Sequence, residues 1–116
     1  MIISDIDMED GYNAIFEARE KGLEFDGVFC YNDMMAFGAM KALKELGYKI
    51  PDDVAVVGYD DIMFSSLVCP SLTTVRIKKF EMGFEAFRML LQRLRGQRKK
   101  VKRKILDVEL IVRESA

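Results

Sequence analysis

The sequence predicts an α/β protein with a mainly parallel sheet flanked by helices. Three observations carry that expectation. Segments of helical period alternate with short β-favouring runs. The clearest of those runs are continuously apolar, as strands covered on both faces are. Glycine or proline punctuates the junctions. At 116 residues, half of them hydrophobic, with 18 basic and 19 acidic side chains, the chain is long enough to build one ordinary core.

Asp7 can cap a helix over residues 8–21, on which Tyr12, Ile15, Phe16 and Arg19 recur at helical spacing before Gly22 stops it. Gly27-Val-Phe-Cys-Tyr31 reads as a strand buried on both faces. A helix over 33–46 follows, with Ala36, Ala39, Met40, Leu43 and Leu46 along one stripe and Gly47 as its stop. Pro51 and two aspartates then break the chain before Val54-Ala-Val-Val-Gly-Tyr59, a second doubly buried strand. A helical turn is expected over 62–67 and an extended segment over 72–76. A third helix over 80–95 carries a heavy seam of Phe80, Phe84, Phe87, Leu91 and Leu94, and Gly96 ends it. The alternation over 105–112 suits a strand with one wet face.

Composition excludes much chemistry. Histidine is absent, which removes Ser/His/Asp triads, Cys/His pairs and imidazole-ligated zinc. Cys30 and Cys69 form no CxxC pair and are expected to be buried small apolar residues. The eight glycines are too scattered to cradle phosphate. No cofactor or metal set can be assembled. No apolar run approaches the ~20 residues that span a bilayer, and the start, Met1-Ile-Ile-Ser-Asp5, lacks the basic and long apolar blocks of a signal peptide. Cytoplasmic location without a membrane partner is the expectation.

Charge is uneven. Residues 1–75 hold 5 basic and 14 acidic groups, whereas 76–116 hold 13 and 5, with eight of the cations between Arg93 and Lys104. Such a cluster can contact nucleic-acid phosphates or an acidic partner. The plainer reading is a solvated helix end and loop, favoured by the negative helix C-terminus and the lack of interleaved aromatics.

Ligands of open parallel sheets bind beyond the carboxyl ends of the strands. There the first strand runs into Asn32-Asp33 and the second into Asp60-Asp61. An amide and a carboxylate together can hold several hydroxyl or amine donors, which suits a sugar or a nucleoside base. The same residues could equally serve as helix N-cap and turn formers. The two roles are compatible for adjacent residues.

The segments YNDMMAFGAMKALKELGYKIPDDVAVVGYDD and CPSLTTVRIKKFEMGFEAFRMLLQRLRG, with ELIVRES at the end, resemble the C-terminal third of the LacI/GalR family of bacterial transcriptional regulators. The resemblance runs from about Gly11 onward. It implies part of a periplasmic-binding-protein-like (type I) sensor domain without catalysis, with 1–71 in the C-terminal lobe, 72–76 a crossover, 77–100 a helix of the N-terminal lobe, and 101–116 a returning strand. It implies a small-molecule effector, sugar or purine-like, held by Asn32, Asp33 and Asp60, with Asp61 in a structural role. Operator DNA would be bound only through an N-terminal helix-turn-helix that this chain does not contain. With half a cleft and an uncovered seam, a homodimer with an exchanged helix or strand is expected. Two other readings stand beside this one: a sugar-binding protein of a transport system sharing the fold, and a phosphoacceptor or enzyme with magnesium at Asp60 or Asp61.

Overall fold

The computed structural model describes residues 7–97 and 99–116. Its elements are α1 (Met8–Glu20), β1 (Gly27–Phe29), α2 (Asp33–Glu45), β2 (Ala55–Tyr59), a 3-10 turn (Met63–Ser66), β3 (Thr73–Arg76), α3 (Lys79–Leu94) and β4 (Glu109–Ile111). The strands form one sheet in the order β1-β2-β3-β4. The β1–β2 and β2–β3 ladders are parallel, pairing Phe29 with Val57 and Tyr59 with Val75. Residues up to 76 together with 110–116 make one compact unit, and residues 77–109 make a second.

Local chemistry sets the helix ends. The Asp7 carboxylate accepts the amides of Glu9 and Asp10 at 2.8 and 3.1 Å, and Asp10 reciprocates toward the Asp7 amide at 3.3 Å. Gly22 and Gly47 take positive φ of 67° and 84° just past α1 and α2, a conformation that costs glycine nothing. The core of the first unit gathers Ile15 of α1, the Ala36, Ala39, Met40 and Leu43 stripe of α2, Val54 and Val56, and Leu72.

Strand burial corrects the sequence expectation. Gly27 and Phe29 are exposed and Val28 is half-buried, while β2 alternates, burying Val56 and Gly58 but only half-covering Ala55, Val57 and Tyr59. The face beneath α2 is sealed, and the opposite face is only partly covered. Cys69 is likewise exposed, its carbonyl accepting the Lys44 ammonium, whereas Cys30 is buried as expected. The last strand covers Glu109–Ile111 rather than 105–112, since a strand persists only where a partner backbone meets it. Ser115 anchors the C-terminal end instead. Fully buried, it takes the Val56 and Thr73 amides on its carbonyl and hydroxyl, both at 2.8 Å, and donates that hydroxyl to the Val56 carbonyl at 2.6 Å.

Candidate functional site

Two parallel neighbouring strands end at the same rim. The Cys30 amide still reaches the Val57 carbonyl at 2.8 Å, so the β1 ladder continues one residue before the chain turns into α2. Asn32, extended at φ −148° and ψ 173°, is the N-cap of that helix and accepts the Met35 amide at 2.8 Å. On β2, the Asp60 amide reaches the Val75 carbonyl at 2.9 Å, and Asp60 and Asp61 then take φ of 109° and 48°. Aspartate tolerates positive φ better than most residues, and two in succession swing the chain sharply away from the sheet.

Between these ends lies a cleft of about 410 Å³ lined by Phe29, Tyr31, Tyr59 and Asp60. Phe29 and Tyr31 share a face by strand alternation and are 67% and 70% exposed. Three aromatic faces and one carboxylate suit a ligand with apolar C–H faces and hydroxyl edges, stacking on the rings while donating to the charge. The aromatics were readable in the sequence as a spacing of two ending at the strand's carboxyl end, a signal that polar-residue reasoning passes over.

The three residues expected at the ligand separate in the structure. Asp60 lines the cleft, and Asn32 sits at the rim as a cap. Asp33 turns inward. It is 1% exposed, and its carboxylate accepts Thr74 Oγ1 at 2.5 Å on one oxygen and Ser65 Oγ and the Ile62 amide at 2.6 and 2.8 Å on the other. This carboxylate ties α2 to β3 and to the 3-10 turn. Gly58 leaves room for it, since a Cβ there would meet Asp33 Oδ1 at 2.3 Å.

Asp61 is clamped as well. Arg76 Nε donates to it at 2.6 Å and Arg113 Nη2 at 2.8 Å, while Arg113 Nη1 reaches the Leu72 carbonyl at 2.8 Å. Burial pushes its pKa up, but the hydrogen bonds and charges of the two arginines outweigh that and hold the carboxyl below the ordinary carboxylate value. Burial also pushes the Cys30 thiol up to about 12, reinforced by the nearby Asp33 charge, so it is an inert packing group. Among the described residues no three His, Cys, Asp or Glu cluster closely enough to hold a metal ion. Nor is any described helix long and apolar enough to cross a membrane.

Residues 5–116 match the periplasmic binding protein-like domain family. The HTH-type transcriptional repressor PurR of Mannheimia succiniciproducens is 38% identical over 109 residues, covering 92% of this chain and 32% of its own length. The structure of a transcriptional regulator CelR–cellobiose complex superposes with a TM-score of 0.92 at 34% identity, over 97% of this chain and 35% of that one. A Lac repressor dimer bound to operator and an anti-inducer gives 0.88 at 33% identity, over 97% and 39%. The chain thus spans about a third of the length of the PurR relative. It belongs to the periplasmic binding protein-like domain family and corresponds to effector-binding sequence of LacI-type transcriptional regulators.

Proposed function

We propose that this chain supplies one wall of a small-molecule sensor site in a cytoplasmic transcriptional regulator, and that the effector is a sugar. The carrying observation is the cleft at the carboxyl ends of β1 and β2, where Phe29, Tyr31 and Tyr59 surround the Asp60 carboxylate. Asp60 accepts ligand hydroxyls, Asn32 adds a polar group at the rim, and Asp33 acts beneath them by fixing the start of α2 against β3. The cellobiose in the CelR structure supports a sugar over a purine-like ligand. In the intact regulator residues 1–71 belong to the C-terminal lobe, 72–76 cross over, 77–100 contribute a helix to the N-terminal lobe, and 101–116 return.

The role is binding without catalysis. The phosphoacceptor alternative loses Asp61 to Arg76 and Arg113, which occupy the oxygens that a magnesium ion would need. The transcriptional repressors among the relatives favour a regulator. Specific operator contacts belong to a separate DNA-binding domain, and the working assembly is a homodimer, as in the Lac repressor structure.

Tyrosine fluorescence tests the site, because the chain has four tyrosines, two of them at the cleft, and no tryptophan. Titration with cellobiose, ribose and adenosine should give a saturable change with at least one of the two sugars. Asp60→Ala should weaken it about tenfold or more, the scale of a lost hydrogen bond to a charged group. Equal affinities for wild type and Asp60→Ala, or a response to adenosine alone, would refute the reading.

A further inference from the structure

Beyond α3 lies a run of cations that the sensor site does not use. Lys99, Lys100, Lys102 and Arg103 are exposed, stand in a stretch without helix or strand, and make no ion pair among the described residues. Lys104 alone is neutralised, by Glu85 at 3.2 Å and Glu81 at 3.8 Å. No acidic residue interrupts the sequence from Arg93 to Lys104, so the run repels itself unless an external polyanion relieves it.

We propose that residues 99–103 form a sequence-independent contact for the phosphate backbone of duplex DNA, resting on the reading of the chain as part of a DNA-bound regulator. Clustered unpaired cations release the counterions condensed along duplex phosphates, a contact that needs charge and no particular base sequence. No aromatic side chain between Arg93 and Lys104 is available to stack on unpaired bases, which favours a duplex backbone over a single strand. An anionic lipid surface fits less well, because a helix lying on lipid carries its cations on its own polar face. Here the charges of α3, Lys79, Glu81, Glu85, Arg88 and Arg93, nearly cancel, and the unpaired cations lie beyond its end.

Fluorescence anisotropy of this chain with a labelled 20-base-pair duplex of scrambled sequence, at several salt concentrations, tests the proposal. Four neutralised phosphates at about −0.9 each give a slope of log K against log salt of about −3.6. Replacing Lys99, Lys100, Lys102 and Arg103 together by alanine should flatten the slope to between about −1 and zero and lower affinity at least tenfold. Replacing Arg19, Lys21, Lys41 and Lys49 by alanine removes equal charge elsewhere and should leave the slope unchanged. A shallow wild-type slope, equal losses in the two variants, or tighter binding to phosphatidylserine vesicles than to DNA would overturn it. Asp60→Ala should not affect DNA binding, so failure of the sugar titration and failure here are separable.

Discussion

Asp33 and Asp60 follow two neighbouring parallel strands and do opposite work. Asp60 meets the cleft, while Asp33 is consumed by three internal donors. The sequence makes both visible as polar residues at strand ends and does not separate them, because Ser65 and Thr74 lie 32 and 41 positions from Asp33. Asp61 is harder still to read: Arg113 is 52 residues away and meets it only once the chain has returned. The clamp has a pH signature. The folded carboxyl titrates below its unfolded value of about 3.9, so the unfolded state binds more protons between those two values. The stability from this group is complete above about pH 4 and is lost as pH falls through the lowered folded value. Urea denaturation across pH 2 to 6 should therefore show a shallower acid limb for Asp61→Asn than for wild type. Glu85, held low by Arg88 and Lys104, and Glu114, held low by Ser71, contribute to the slope that remains. Parallel acid limbs for the two proteins would exclude the clamp as the origin.

Helices were legible to within a residue or so because caps, stops and apolar stripes are local. Strand lengths and faces were not, since they depend on which backbone and which helix arrive opposite. The seat of α1 on α2 shows how a local residue sets a non-local contact. A Cβ on Gly11 would stand 2.0 Å from the Met35 carbonyl oxygen, and one on Gly38 would stand 1.8 Å from that of Met8. The two helices touch backbone to backbone at reciprocal glycines. Gly38→Ala gains about 1 kcal/mol of helix propensity, but the obstacle is backbone and cannot rotate aside. Overpacking costs about 1–3 kcal/mol and more where elements must separate, so net destabilisation of about 1–2 kcal/mol is expected in urea melts followed by circular dichroism. Gly83→Ala on α3 is the control. Nothing lies within 4 Å of its added Cβ, so it should increase helical signal, and stabilisation by Gly38→Ala would show that the close contact does not govern the packing.

At the scale of the whole molecule, α3 has an unmet need. Its 16 residues include none that is buried, and Phe80, Phe84, Phe87 and Leu94 are between 56% and 87% exposed, with the Phe80 and Phe84 rings stacked at 6.4 Å. An isolated helix of this length is marginal in water, because nucleation is costly and most helical stability comes from packing an apolar face. Burying a phenylalanine contributes about 1.5–3 kcal/mol, so covering three of them outweighs what α3 loses to fraying. The chain on its own can obtain that cover from a second copy, and a symmetric pairing places each seam against an identical one. Sedimentation equilibrium at micromolar concentration should therefore give a dimer of the 13.3 kDa chain. Phe84→Glu with Phe87→Glu should return it to a monomer with reduced helical signal, the loss confined to about one helix because the α1, α2 and sheet core does not depend on the seam. A wild-type monomer retaining the full helical signal would show that α3 stands without a partner, and a dimer unchanged by the double substitution would move the interface off this helix.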